Sequence, residues 1–246
     1  IANVNVKSST SSTVTNSLST VPKNALLVLT IAQGDDMNVT TNAVPSITSS
    51  PALTWTKVGT AGETASGNAG IWRAVFAAGG KISITSKWGV NPINAVVYTI
   101  TGYDPALNGT VATASSQTTV SVPAGTTLSN SLLVAVTCDK KGVSGTGRVY
   151  LDGAVESQYQ TKSGVYTAYH YRKSTTVRGT YTQGLSKPTG LSAGTVIYEI
   201  RGIATTAVSV VADAGANQSQ ACAATVTGSS KPRQQEQEHA QIQQAR

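Results

Sequence analysis

Acid–base or nucleophilic chemistry in this chain would have to pass through very few side chains. Of its two histidines, His170 lies in the patterned part of the sequence and His239 in a Gln-rich terminal stretch. A Ser-His-Asp relay would need His170, a serine, and Asp139 or Asp152. No Gly-x-Ser-x-Gly elbow is present, and Gly142-Val143-Ser144-Gly145 comes nearest to one. Glycoside hydrolysis needs two carboxylates about 5–10 Å apart. Residues 1–230 hold Asp35, Asp36, Glu63, Asp104, Asp139, Asp152, Glu156, Glu199 and Asp213, so some proximity is expected by chance. Asp152 and Glu156 are close in sequence, and Glu199 stands two residues from Arg201. A lyase-type group of Tyr, His and Arg would lie at 166–172. One histidine with no Cys or His at metal spacing excludes a His-rich zinc site, and no CxxC occurs. Asp35-Asp36 and the run Tyr103 to Gly109 carry loop oxygens of the kind that bind calcium. They lack EF-hand spacing, so turn capping is the default reading and no cofactor is expected.

Tyrosine offers a different chemistry, recognition through a flat apolar ring with a polar tip. Tyr150, Tyr159, Tyr166, Tyr169, Tyr171 and Tyr181 crowd the second half, with Arg148, Arg172 and Arg178 among them. These side chains must be positioned by strands. Helical periodicity is nearly absent, whereas short β-branched runs alternate with Thr and Ser between Gly, Asn, Pro and Asp. Strands are predicted near 2–6, 12–16, 25–33, 53–58, 69–77, 81–88, 94–102, 111–122, 131–138, 147–152, 164–172, 176–183, 194–203 and 207–211. Turns at this spacing predict an all-β, antiparallel β-sandwich of jelly-roll type.

Three blocks recur in order. Asn24 to Thr30 resembles Asn130 to Val136, Gly70 to Phe76 can be laid on Gly164 to His170, and Ala95 to Gly102 matches Thr195 to Gly202. Two related halves are therefore expected, 1–104 and 105–204. Alternate residues of a strand face opposite ways. Trp55, Trp72 and Trp88 fall in phase with apolar residues, which predicts core. In 147–152, Val149 and Leu151 are assigned inward and Arg148, Tyr150 and Asp152 outward. Laying 164–170 on 70–76 puts Tyr166 and His170 where Trp72 and Phe76 stand, so Tyr169 and Tyr171 face out. Arg148, Tyr150, Asp152, Tyr169 and Tyr171 then form the candidate recognition surface for a carbohydrate or other surface polymer.

Residues 1–204 resemble, in overall pattern, β-sandwich modules embedded in long secreted or surface proteins of bacteria. The cues are Leu26-Leu27-Val28-Leu29-Thr30, Leu53-Thr54-Trp55-Thr56-Lys57-Val58 and Val96-Val97-Tyr98-Thr99-Ile100-Thr101-Gly102. Residues 205–230 change character. Val208 to Gln218, followed by Ala224-Thr225-Val226-Thr227-Gly228-Ser229-Ser230, is similar to the start of the immunoglobulin-like PKD domains of such proteins. No Tyr-x-Trp strand follows. Residues 231–246 are polar and Gln-rich, which predicts a disordered tail and a chain cut from a longer multidomain protein.

Composition bounds the function. Charged residues are 12% of the 246, too few for the outer faces of long helices. The net charge of +7 is spread with no Lys/Arg run longer than two, so no phosphate-binding stripe exists and nucleic acid is not an expected partner. The longest purely apolar run, Ala25 to Leu29, is far short of a bilayer span, so membrane insertion is not expected. Abundant Ser, Thr, Gly and Asn point to a secreted or cell-surface location, although no export signal is visible. Cys138 lies in an apolar run and is read as a small buried hydrophobe, with a Cys138–Cys222 disulfide as the alternative. The expected function is a non-catalytic extracellular module for carbohydrate binding or adhesion. The alternatives are a polysaccharide hydrolase or lyase, and a structural protein of a phage particle or filament.

Overall fold

A computed structural model describes residues 4–8, 12–34, 45–62, 66–89, 92–162, 165–203, 209–211 and 223–225. The strands are β1 (Val4–Ser8), β2 (Thr13–Val21), β3 (Ala25–Gln33), β4 (Ser46–Ser50), β5 (Thr56–Ala61), β6 (Asn68–Phe76), β7 (Gly80–Lys87), β8 (Ile93–Ile100) and β9 (Val111–Gln117). They continue as β10 (Val120–Gly125), β11 (Leu132–Asp139), β12 (Val149–Tyr150), β13 (Val155–Lys162), β14 (Tyr166–Ser174), β15 (Thr180–Lys187), β16 (Ala193–Ile200), β17 (Ser209–Val211) and β18 (Ala223–Thr225). A 3-10 turn, Leu151–Gly153, follows β12. The fold is all-β, and every strand pairing is antiparallel.

Two compact units divide the chain, Ile1–Ala204 and Thr205–Arg246. Within the second, β17 pairs with β18. Within the first, a five-stranded sheet β1-β8-β3-β6-β5 accompanies a three-stranded sheet β2-β7-β4. The next pair is β9-β16-β11-β14-β13 with β10-β15-β12. Adding eight to each label of the first pair of sheets generates the second pair. Consecutive strands change sheets as in a jelly roll, except that β5 and β13 join the larger sheet. Even the entry to the central strand repeats. Asn24 before β3 and Asn130 before β11 both take the left-handed conformation, with φ 55° and 59°, which Asn tolerates better than most residues.

Three apolar clusters show how the layers stack. One lies between the small and large sheets of the first half, built on Leu27, Leu29, Trp72, Phe76, Ile82, Trp88 and Val97. Another fills the second half, with Val120, Val122, Leu133, Ala135, Tyr169, Tyr171, Leu185 and Ile197. The third joins the two large sheets to each other, through Leu26, Val28, Ile71, Val96 and Tyr98 on one side and Val134, Val136, Tyr166, Val196 and Tyr198 on the other. The order is therefore small, large, large, small. An inner sheet has no solvent face, so β3, β8, β11 and β16 are buried at every position. Outer strand β2 alternates, with Val14, Asn16 and Leu18 in and Thr13, Thr15 and Ser17 out. Trp72 and Trp88 meet edge to face at 5.7 Å, and Trp55 packs against the same core, as its parity predicts.

Strand boundaries also differ from expectation. The run 111–122 is two strands, only 56–58 of the run 53–58 is strand, as the start of β5, and β4 lies upstream of it where no strand is expected. Only Val149–Tyr150 of 147–152 is strand, and β13 was not foreseen. The block match in β6 and β14 requires a correction of register. Leu29 opposes Trp72, and its counterpart Ala135 opposes Tyr171. Tyr171, not Tyr166, therefore occupies the place of Trp72, a slip of five residues. An odd slip turns every side chain to the other face.

Candidate functional site

Of the surface expected from the sequence, Arg148, Tyr150, Tyr169 and Tyr171 are brought together, but as the wall of a core, and Asp152 stands apart from them. Tyr169 and Tyr171 are 0% exposed. They do point away from Tyr166, as parity requires, yet that side is covered by the small sheet β10-β15-β12. Tyr150 is turned inward as well, stacking against Tyr171 at 5.1 Å, while Val149 is the outward residue at 48% exposure. The inward–outward assignment over 149–150 is thus reversed. The backbone turns out of extended geometry at Leu151–Gly153, where Asp152 adopts a left-handed φ of 48°. Asp152 is exposed as expected, but its Oδ2 accepts from the Thr182 amide at 2.5 Å and its carbonyl accepts from Lys173 Nζ. It serves as a turn brace.

Arg148 is half-buried over the Tyr159 ring, 4.0 Å from its centroid. Its Nε and Nη2 donate to the two oxygens of Glu156, and the Tyr150 hydroxyl donates to Glu156 Oε2 at 2.7 Å. The Arg148 hydrogen bond and charge hold the Glu156 carboxyl below its ordinary range and raise the guanidinium further. Burial, followed by the bond to Glu156, pushes the Tyr150 hydroxyl up. Tyr159 in turn stacks on Tyr169 at 5.6 Å, and its hydroxyl accepts from the Gly145 amide. Glu156 and Tyr159 tie this cluster together, and both lie on β13, the polar strand that period-2 hydrophobicity does not mark.

The candidates for catalysis are likewise engaged within the fold. His170 is fully buried between the two large sheets, with Nδ1 2.7 Å from Thr30 Oγ1. Burial drops its pKa to about 3, so the ring is neutral. Asp139, one proposed relay partner, accepts from the amides of Lys141, Val143 and Ser192. Ser144 is exposed and bonds Thr146. Burial alone would raise the Glu199 carboxyl, but the Thr110 and Thr127 amides and the Thr127 and Ser131 hydroxyls together hold it below its usual range. Asp104 caps the Ala106 amide and pairs with Arg201 at 3.3 Å. The Asp152–Glu156 pair is split, because each carboxylate is held by different partners.

No group of three or more His, Cys, Asp or Glu able to hold a metal ion occurs among the described residues. Asp35, Asp36, Glu63, Asp213 and Cys222 lie outside those residues. Cys138 is a free thiol buried in the central core, and burial raises its pKa. No helix among the described residues is long and apolar enough to cross a membrane. Comparisons of the chain with protein-family models, with curated proteins and with solved structures found no match.

Proposed function

We propose that this chain is a non-catalytic β-sandwich module of a secreted or surface protein, serving adhesion to a polymer surface and the spacing of neighbouring modules. The observation that carries this reading is the use made of its reactive groups. Of the four side chains best suited to proton transfer, Asp139, Glu156 and Glu199 spend their hydrogen bonds on the scaffold, and His170 is sealed between the two large sheets with Nδ1 on Thr30. A general acid or base needs reach to a substrate proton, and these four reach protein atoms. Adhesion, if mediated by this unit, does not pass through Tyr169 and Tyr171.

A polysaccharide panel tests the proposal with two readouts on one preparation. Retention of the chain on at least one insoluble polymer, with no release of reducing or unsaturated ends, is the expected result. Turnover that His170→Ala abolishes while the fold persists would establish the hydrolase or lyase reading instead. Ordered filaments or shells in electron micrographs would favour the particle-protein reading.

A further inference from the structure

A cleft of about 410 Å³ opens beside the first large sheet, lined by Ala52, Leu53, Thr56, Arg73, Val75 and Leu107 among others. Arg73 and Thr56 are direct partners across the β6–β5 ladder, so their side chains share one face. Val75, two residues along β6 on that same face, is 41% exposed and offers apolar surface to the cleft. The Arg73 guanidinium is half-buried, and its Nη1 donates to the Leu107 carbonyl and to the Tyr198 hydroxyl. Both hydrogens of Nη1 are thereby used. Its Nε and Nη2 have no acceptor among the described residues, and no acid there pairs with it. Leu107, whose carbonyl holds Arg73 in place, takes a left-handed φ of 51°, a costly conformation for leucine of the kind that gathers at ligand sites.

The edge formed by Nε and Nη2 is the one that grips a carboxylate side-on with two parallel bonds. Elsewhere in the molecule Arg148 presents those same two nitrogens to Glu156. Arg73 is held ready for the same partner and lacks it. Around it the cleft offers the Thr54 and Thr56 hydroxyls and a ledge of aliphatic carbon from Ala52, Leu53, Val75 and Leu107. Hydroxyls beside small apolar patches suit a ring that alternates O–H and C–H groups. We propose that this cleft binds an acidic sugar unit, a hexuronate, with its carboxylate on Arg73 and its C–H face on Leu53 and Val75. This rests on the adhesive reading above and names its ligand class.

Titration calorimetry of the full chain with trigalacturonate, its methyl ester, maltotriose and acetate tests the proposal. Trigalacturonate is expected to bind, and the ester and maltotriose to bind more weakly by about tenfold or more. Val75→Glu puts a competing carboxylate in the cleft from an exposed position, and Arg73→Lys keeps the charge while removing the fork. Each is expected to weaken trigalacturonate by a similar factor, with the melting temperature of Val75→Glu close to that of the parent. Absence of trigalacturonate binding at millimolar concentration, or equal binding by both variants, overturns the proposal. Acetate as strong as trigalacturonate overturns its sugar part. Retention on a neutral polymer alone would sink this inference and leave the adhesive reading standing. Turnover by a chain whose uronate binding depends on Arg73 would do the reverse.

Discussion

His170 shows most simply how burial decides chemistry in this molecule. An imidazole between two sheets, bonded to Thr30 through Nδ1, is neutral when folded and titrates at about 3. The unfolded chain takes up the proton near the ordinary value of about 6.5. Between those values the unfolded state binds more protons, so stability falls as pH drops from about 6.5 toward 3, with a limiting slope of about 1.4 kcal/mol per pH unit. Ile71 occupies the equivalent place in the first half, since Thr30 opposes Ile71 as Val136 opposes His170. His170→Ile is therefore expected to flatten this part of the pH dependence in denaturant titrations from pH 7 to 4. An unchanged slope would mean that other groups carry it. Residue type alone marked His170 as a candidate for chemistry, and β14, with Thr, His and Arg among its residues, does not itself read as an apolar run covered on both faces.

At the scale of the element, the face a side chain occupies depends on strand register and on how many layers lie beyond. Tyr171 stands where Trp72 stands in the first half and fills the same kind of space. Tyr171→Ala is expected to cost about 3–5 kcal/mol, the range for emptying a large aromatic site. Val149→Ala, outward on β12, should stay within about 0.5 kcal/mol. Chemical denaturation of the two variants checks both. Comparable small losses would return Tyr171 to the surface. The strands, the Trp core and the order of the blocks were legible in the sequence because period-2 patterning is strong in β2 and β7 and apolar runs mark the strands between them. The two-sided burial was also written there. Ala25 to Ala32 and Leu132 to Cys138 are nearly continuous apolar runs, the mark of strands buried on both faces. Reading such strands as one-sided, together with the five-residue slip in β14, put Tyr169 and Tyr171 outside. β13 was illegible because Val155–Lys162 is mostly polar and intermediate in burial, and it owes its place to Tyr159 and Glu156. The Arg73 cleft had no signal in spacing, since it joins β5, β6 and the segment between the halves.

For the whole molecule, the central cluster makes the stability of each half depend on the other. Arg73 reaches Tyr198 across the layers, and near the equivalent place Arg172 and Ser157 act on Tyr98, whose hydroxyl burial pushes up to about 12. All three tryptophans lie in the first half. Val196, fully buried in the second half's contribution to the shared core, is therefore a clean probe. Val196→Asp should lower the midpoint reported by tryptophan fluorescence in step with that of a whole-molecule probe such as far-UV circular dichroism. A fluorescence midpoint that stays put while a second transition moves would show that the halves unfold separately.

The last strand of this unit has a mechanical consequence. β16 lies between β11 and β9, and just beyond it Gly202 bridges Tyr103 while the Asp104 amide donates to the Arg201 carbonyl. Tension applied to the chain after Ile203 would load an interior strand flanked by two ladders and clamped at its exit. Such a strand must break many bonds in parallel instead of peeling one at a time, a geometry suited to a tether that resists being torn off its anchor.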